Sequence, residues 1–288
     1  MLFPIKKILV CTDLSDHSDE VLKSAEAVRQ RVNGELSVLY VSDIGLHLEW
    51  ASDKSRQETF YKTFIGSIAD DLTEKMKAQI QRTGANAKLF LRQGVIVDQI
   101  CQTIMENDEK YDLLIIGHSS KTTLFHHLIG NVARKLVSSV SIPTLVIKKP
   151  IEFNKIAGLI DERGSSNWMI TSTLDFFRTL TFKEVEFISL WHDRPEFFNQ
   201  DESMTDFKDN LMDDIKYFTR DGEKVIVRVE ATHDLQIAHQ LAQLIEEDKV
   251  SLAMMKRNRG KKLNKLLLGS ETLRMLELES INILVMPV

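Results

Sequence analysis

The chain has little of what marks several protein classes. Its 288 residues contain two cysteines, Cys11 and Cys101, and no CxxC pair. That excludes a disulfide scaffold and fits a reducing cytosol. Five prolines and 43% apolar residues exclude a disordered or fibrous chain. No apolar run approaches the ~20 residues that a membrane-spanning helix needs. The opening MLFPIKKILVCTDLS reads as a first strand entering a polar turn, not as a signal peptide. A cytoplasmic location is therefore expected. A net charge of −5 argues against a whole-molecule polyanion binder, so nucleic acid is not an expected partner. There is no Ser-His-Asp set, no HExxH and no recognisable pair of catalytic carboxylates. The chain does not read as an enzyme.

What the chain does have is a repeat. GNVARKLVSSVSIPTLVI at 130–147 aligns without a gap with GSETLRMLELESINILVM at 269–286, at an offset of 139. Each stretch opens with glycine, runs through a helical pattern and ends in an apolar strand. So large a period implies two copies of one domain, expected at 1–150 and 151–288, with Pro150 marking the boundary. In the first copy, strands are expected at 5–12, 35–41, 86–91, 111–116 and 143–148. They alternate with helices at 18–32, 55–83, 95–107 and 130–139. The second copy repeats the order with strands at 156–161, 185–191, 224–230, 250–255 and 282–288, and is shorter between its second and third strands. Strict alternation of strand and helix predicts right-handed crossovers and an α/β fold: two tandem doubly wound, Rossmann-like domains, each with a five-stranded mainly parallel sheet.

In an open parallel sheet a ligand binds beyond the carboxyl ends of the strands, where strand order reverses. In the first copy Asp13 follows the first strand. Gly117 follows the fourth, and Gly130 opens a helix thirteen residues later. Glycine lets an anion approach the backbone, and a helix N-terminus offers unpaired N–H groups to phosphate. A carboxylate after the first strand suits a ribose hydroxyl or an adenine amino group. The spacing points to a nucleotide. Glycine after a strand and Asp at a helix cap are also ordinary turn chemistry, and that reading stays open.

An opening strand ending in Asp, the fourth-strand sequence DLLIIG and a loop of the form G-x2-G-x9-G-Ser/Thr together resemble the universal stress protein family, in its tandem two-domain form. The resemblance covers the whole chain. It implies a stress-response binding protein in which Thr12 and Asp13 face a nucleoside and Val41 meets an adenine edge through its backbone. It also implies that Gly117, Ser120, Gly130 and Asn131 line the phosphates of ATP or a related adenine nucleotide. Magnesium would enter only with ATP, and hydrolysis would be at most slow and incidental. Ser120 stands where the family has glycine, and Asn131 where it has a hydroxyl residue. The resemblance further implies a pseudo-twofold axis pairing 143–148 with 282–287: a monomeric pseudo-dimer, with a further homodimer left open and any protein partner unidentified.

The second copy keeps the spacing but reads Lys256, Arg259, Gly269 and Ser270 at these positions. Lys256 and Arg259 should crowd the space of a triphosphate. The stretch KRNRGKKLNK at 256–265 allows three readings. It is a solvated basic loop balanced by Glu246, Glu247 and Asp248; or it binds an anionic ligand; or both copies have degenerated and the chain is a scaffold. Asp161 still follows the first strand of this copy. His118, His126 and His127 are read as surface residues. His233 and His239, six apart, do not suit one metal on one helix face. Cys11 is read as inert packing.

Overall fold

The computed structural model describes residues 4–43, 66–106, 110–118, 131–161, 166–192, 203–232, 237–257, 270–277 and 281–287. The chain divides into two compact units, one holding Ile5–Thr123 and Ile129–Pro150, the other holding Ile151–Val288.

The first unit begins with β1 (Lys7–Cys11), whose Ile8, Leu9 and Val10 are fully buried. A strand this apolar must be covered on both faces, as in parallel sheets. Helix α1 (Asp16–Val32) starts two residues earlier than its apolar stripe indicates. Ser15 caps it by accepting from Ser18 N, and Asp16 and Asp19 complement the dipole in its first turn. It ends at Asn33, which takes the left-handed conformation (φ 49°) that Asn tolerates. Val21, Leu22, Ala25 and Val28 form its buried face.

Then follow β2 (Glu35–Ser42), α2 (Gly66–Thr83), β3 (Lys88–Gln93), α3 (Ile96–Met105), β4 (Leu113–Gly117), α4 (Asn131–Ser139) and β5 (Thr144–Ile147). The expected helical residues 55–65 lie outside the described residues. Within the unit the strands run β3-β2-β1-β4-β5, all parallel. The chain winds one way from β1 to β3 and then crosses back to β4, so order reverses between β1 and β4. In open parallel sheets the carboxyl ends at such a reversal are where a candidate crevice is sought.

The second unit repeats this plan with β6 (Lys155–Ile160), α5 (Ser166–Thr179), β7 (Glu184–His192), α6 (Met204–Phe218), β8 (Val225–Thr232), α7 (Ile237–Glu247), β9 (Leu252–Lys256), α8 (Ser270–Glu277) and β10 (Asn282–Met286). Its strands run β10-β9-β6-β7-β8, again parallel. Gly158 in β6 is dictated by packing: a Cβ there would lie 2.5 Å from Thr173 Oγ1 on α5 and 3.1 Å from the Phe187 ring. Phe176 and Phe187 anchor this core.

Candidate functional site

The first crevice is built by strands of unequal length. β1 gives its last pairing to β2 at Cys11 opposite Leu39, and Thr12 N donates to Leu39 O at 3.0 Å. β2 runs on to Ser42. In a parallel strand a residue turns its N–H and C=O to one side and the next residue turns them to the other. Leu39 faces β1, so Val41 faces the same way, past the last β1 residue that pairs there. Ser42 faces β3, where its C=O accepts from Gly94 N. Val41 thus presents its backbone edge to the crevice.

Asp13 sits exposed at the mouth. Its Oδ1 accepts from Ser15 N at 3.0 Å and from the Ser15 hydroxyl. Between them Leu14 takes φ 61°, a left-handed conformation that costs about 1 kcal/mol for a side-chain-bearing residue. Leu14 N donates to Thr12 Oγ1 at 3.0 Å and helps to hold the turn. Tyr40 belongs to the same neighbourhood: burial pushes its phenol up, and the carboxylates of Asp43 and Asp13 push it further. The sequence reading passed Tyr40 over because an aromatic late in an apolar strand looks like core.

Thr12 does something other than face a ligand with its hydroxyl. Thr12 Oγ1 donates to Gln79 Oε1 at 2.8 Å, and Gln79 is completely buried. Gln79 Nε2 donates to Ser18 Oγ at 2.8 Å and to Asp19 Oδ1 at 2.7 Å. Ser18 Oγ donates to Ser15 O at 2.6 Å. A hydroxyl has one proton, so the 3.1 Å approach of Thr12 Oγ1 to Ser18 Oγ is left without one. Arg82 pairs with Asp19. Burial raises the Asp19 carboxyl, but its hydrogen bonds to Arg82 and Gln79 outweigh that and hold it below its ordinary value. This network explains why polar Gln79 lies deeper than its apolar neighbour Ile80 on α2. Thr12 offers the crevice its backbone only.

Gly117 ends β4. A Cβ there would lie 3.0 Å from Val21 Cγ2 and 3.5–3.6 Å from the His17 imidazole, so α1 packs on bare backbone. His118 is a correction: expected at the surface, it is 7% exposed. Its N–H donates to Ile147 O at 3.1 Å, which prolongs pairing with β5 and draws the side chain inward. Next to Val41, Ser42 lines a cavity of about 200 Å3 with Ile68, Ala69, Leu72, Leu91, Arg92 and Gln93. Ser120 and Gly130 lie outside the described residues, as do His126, His127 and His233. Asn131 is the first residue of α4.

Matched registers align the two units. Leu113 pairs with Ile8 and Leu252 with Ile156; Ser37 pairs with Lys88 and Glu186 with Ile226. Counting on from these, Lys256 occupies the place of Gly117, and Trp191 the place of Ser42. Both second-unit positions are filled. Lys256 Nζ lies 5.9 Å from the centroid of the Trp168 ring, within cation–π range. Trp191 lies on Phe207 of α6 with centroids 5.2 Å apart. Asp161 is exposed after β6, Ser270 begins α8, and Arg259 and Gly269 lie outside the described residues.

Two of the acids expected to balance the basic loop are engaged elsewhere. Arg228 on β8 donates to Asp248 and, at 3.0 Å, to Glu247. The mismatch follows from α7 ending beside β8, so its last carboxylates meet that strand. His239 is exposed. Among the described residues no group of three or more His, Cys, Asp or Glu side chains could hold a metal. None of the described helices is long and apolar enough to cross a membrane.

Residues 4–148, half of the chain, match the family model described as the universal stress protein family. A universal stress protein of Methanocaldococcus jannaschii is 27% identical over 145 residues, covering 50% of this chain and 83% of that protein. A second from the same archaeon is 26% identical over 156 residues, covering 50% of this chain and 95% of its own. The crystal structure of a universal stress protein from Archaeoglobus fulgidus matches the fold with a TM-score of 0.71 at 17% identity, over 98% of both chains. The chain belongs to the universal stress protein family.

Proposed function

We propose that the chain binds an adenine nucleotide in its first unit alone and acts by binding, not by turnover. The observation that carries this is the pair of matched positions. Where the first unit has Gly117 and Ser42, the second has Lys256 against Trp168 and Trp191 against Phe207. The first unit places only glycine and serine at these two positions, where the second places a lysine and a tryptophan that reach neighbouring rings. Val41 supplies a backbone edge for a base and Asp13 a carboxylate for a sugar. The sequence after β4 does not have the G-x4-G-K-[ST] pattern of P-loop enzymes, since Ser120 and not glycine precedes Lys121-Thr122, so any hydrolysis is slow and incidental. Calorimetry with ATP, with and without magnesium, tests the reading. Binding heat at or below millimolar ATP is expected, and its absence under both conditions refutes it.

A further inference from the structure

Strand β8 ends the sheet of the second unit: among the described residues it pairs with β7 alone. Val185 N donates to Lys224 O at 3.0 Å, so Lys224 and every second residue after it turn their backbone groups toward β7. Val225, Val227 and Val229 therefore turn theirs outward. Ala231, next in that set, shows the same direction, since its C=O accepts from Gln240 Nε2 at 3.2 Å. The outward N–H and C=O groups of the three valines meet no partner among the described residues. The strand runs for eight residues and holds no proline. An edge of this kind is a template for another strand.

The side chains suit one partner, a second copy of the same strand. Arg228 reaches Glu247 and Asp248 at the end of α7, so Lys224, Ile226, Arg228 and Glu230 share the α7 face. That face is basic where the strand begins and acidic where it ends. The Lys224 side chain is 64% exposed. Glu230, 45% exposed, is one of three carboxylates around the single cation Arg228. Two such strands running antiparallel about a two-fold axis at Val227 bring Lys224 of each copy opposite Glu230 of the other. Val225 then meets Val229 and Val227 meets Val227, each pair joined through its outward backbone groups. Neighbouring registers fail. An axis at Ile226 sets Lys224 against Arg228, and an axis at Arg228 sets that cation against its own copy. An axis at Val229 needs the Ala231 C=O that Gln240 already occupies. An axis at Val225 needs Glu223 N, which donates to Arg220 O. The edge strand of the first unit, β3 (KLFLRQ), carries two cations and no acid, so it has no such complement. We infer that β8 is a homodimerisation edge, on which a second copy of this chain adds its own β8 antiparallel, centred on Val227 and locked by reciprocal Lys224–Glu230 pairs. A two-fold contact of this kind closes on itself and does not propagate into a fibre. It is independent of what the first unit binds.

Sedimentation velocity on the full chain, from about 5 to about 500 µM, reads the association over a range suited to one short ladder. The mass should climb from one chain toward two. Val227→Pro removes the central outward N–H but no bond to β7. It should stay a single chain while melting close to the parent. Lys224→Glu and Glu230→Lys each set like charges across the axis and should weaken self-association by about tenfold or more. An equimolar mixture of these two variants restores opposite charges at both sites and should associate within about threefold of the parent. Mixing alters neither chain's fold, so recovery there can come only from pairing between copies. A parent that stays a single chain over the whole range overturns the inference. So does a folded Val227→Pro that dimerises like the parent. If Val227→Pro unfolds, the charge variants decide alone: a mixture that associates no more tightly than either variant by itself overturns the interface.

Discussion

Lys256 and Trp168 meet at the carboxyl end of the second sheet, with Nζ 5.9 Å from the ring centroid. The matched position of the first sheet is Gly117, which has no side chain to place there. The duplicated strands thus differ by a glycine against a lysine at the residue that ends each of them. A cation over an indole contributes only about 0.5–1 kcal/mol at a partly exposed site, so the contact matters chiefly for the space it takes.

Transplanting that plug should close the first crevice. Gly117→Lys is expected to abolish ATP binding. It should also cost stability on the order of 1–3 kcal/mol, because the new Cβ stands 3.0 Å from Val21 Cγ2 and α1 must give way. Adding Val21→Ala should relieve the crowding without restoring ATP. Calorimetry separates the two effects, and recovered binding in the double variant would show that crowding, not occupancy, was the cause.

Thr12→Val should destabilise the first unit by about 1–3 kcal/mol, since buried Gln79 Oε1 loses its donor. ATP affinity should stay within about twofold of the parent, because the hydroxyl points into the α1–α2 network. Urea denaturation and calorimetry check the two halves of this statement. A large affinity loss at unchanged stability would return Thr12 to the ligand.

Glu186 should make the second unit's stability fall as pH rises. Burial holds its carboxyl above its ordinary value; Lys155 pulls it down and Asp248 pushes it up. Because the folded pKa exceeds the unfolded one, the native state holds more protons between the two values. Stability from this group is complete below the unfolded pKa and is lost as pH climbs through the folded one. Glu186→Gln mimics the protonated form. Its melting temperature relative to the parent should be higher at pH 7.5 than at pH 4, and a pH-independent difference would contradict the assignment.

Both thiols should be sluggish. Burial raises Cys11 to about 12, with Cys101 adding to the shift, and burial also raises Cys101. Native protein at pH 8 should react with Ellman's reagent far more slowly than denatured protein. Rapid modification of either cysteine in the native chain would refute this.

The fold was legible because each buried parallel strand is a dense apolar run closed by a polar residue or glycine. Ile8–Val10 and Leu113–Ile116 are the plainest examples. For the candidate site, the sequence shows which residues follow the strands but not where their side chains turn. Thr12 stands at the expected place, yet its hydroxyl turns to Gln79, 67 residues away in the chain. His118 follows a strand and looks exposed until its N–H is seen to extend pairing with β5. Glu247 and Asp248 are near the basic loop in sequence and beside Arg228 in space. Nothing in the sequence singles out Trp168 or Trp191. Only the paired registers reveal that Trp191 fills the place held by Ser42 and that Trp168 caps the lysine at the Gly117 position.

The most direct measurement is ATP stoichiometry by calorimetry on the parent, Asp13→Ala and Asp161→Ala, each verified as folded by melting. The account predicts one ATP per chain in the parent, severely weakened binding in Asp13→Ala and unchanged binding in Asp161→Ala. Two ATP per chain, or loss of binding on changing Asp161, would contradict it.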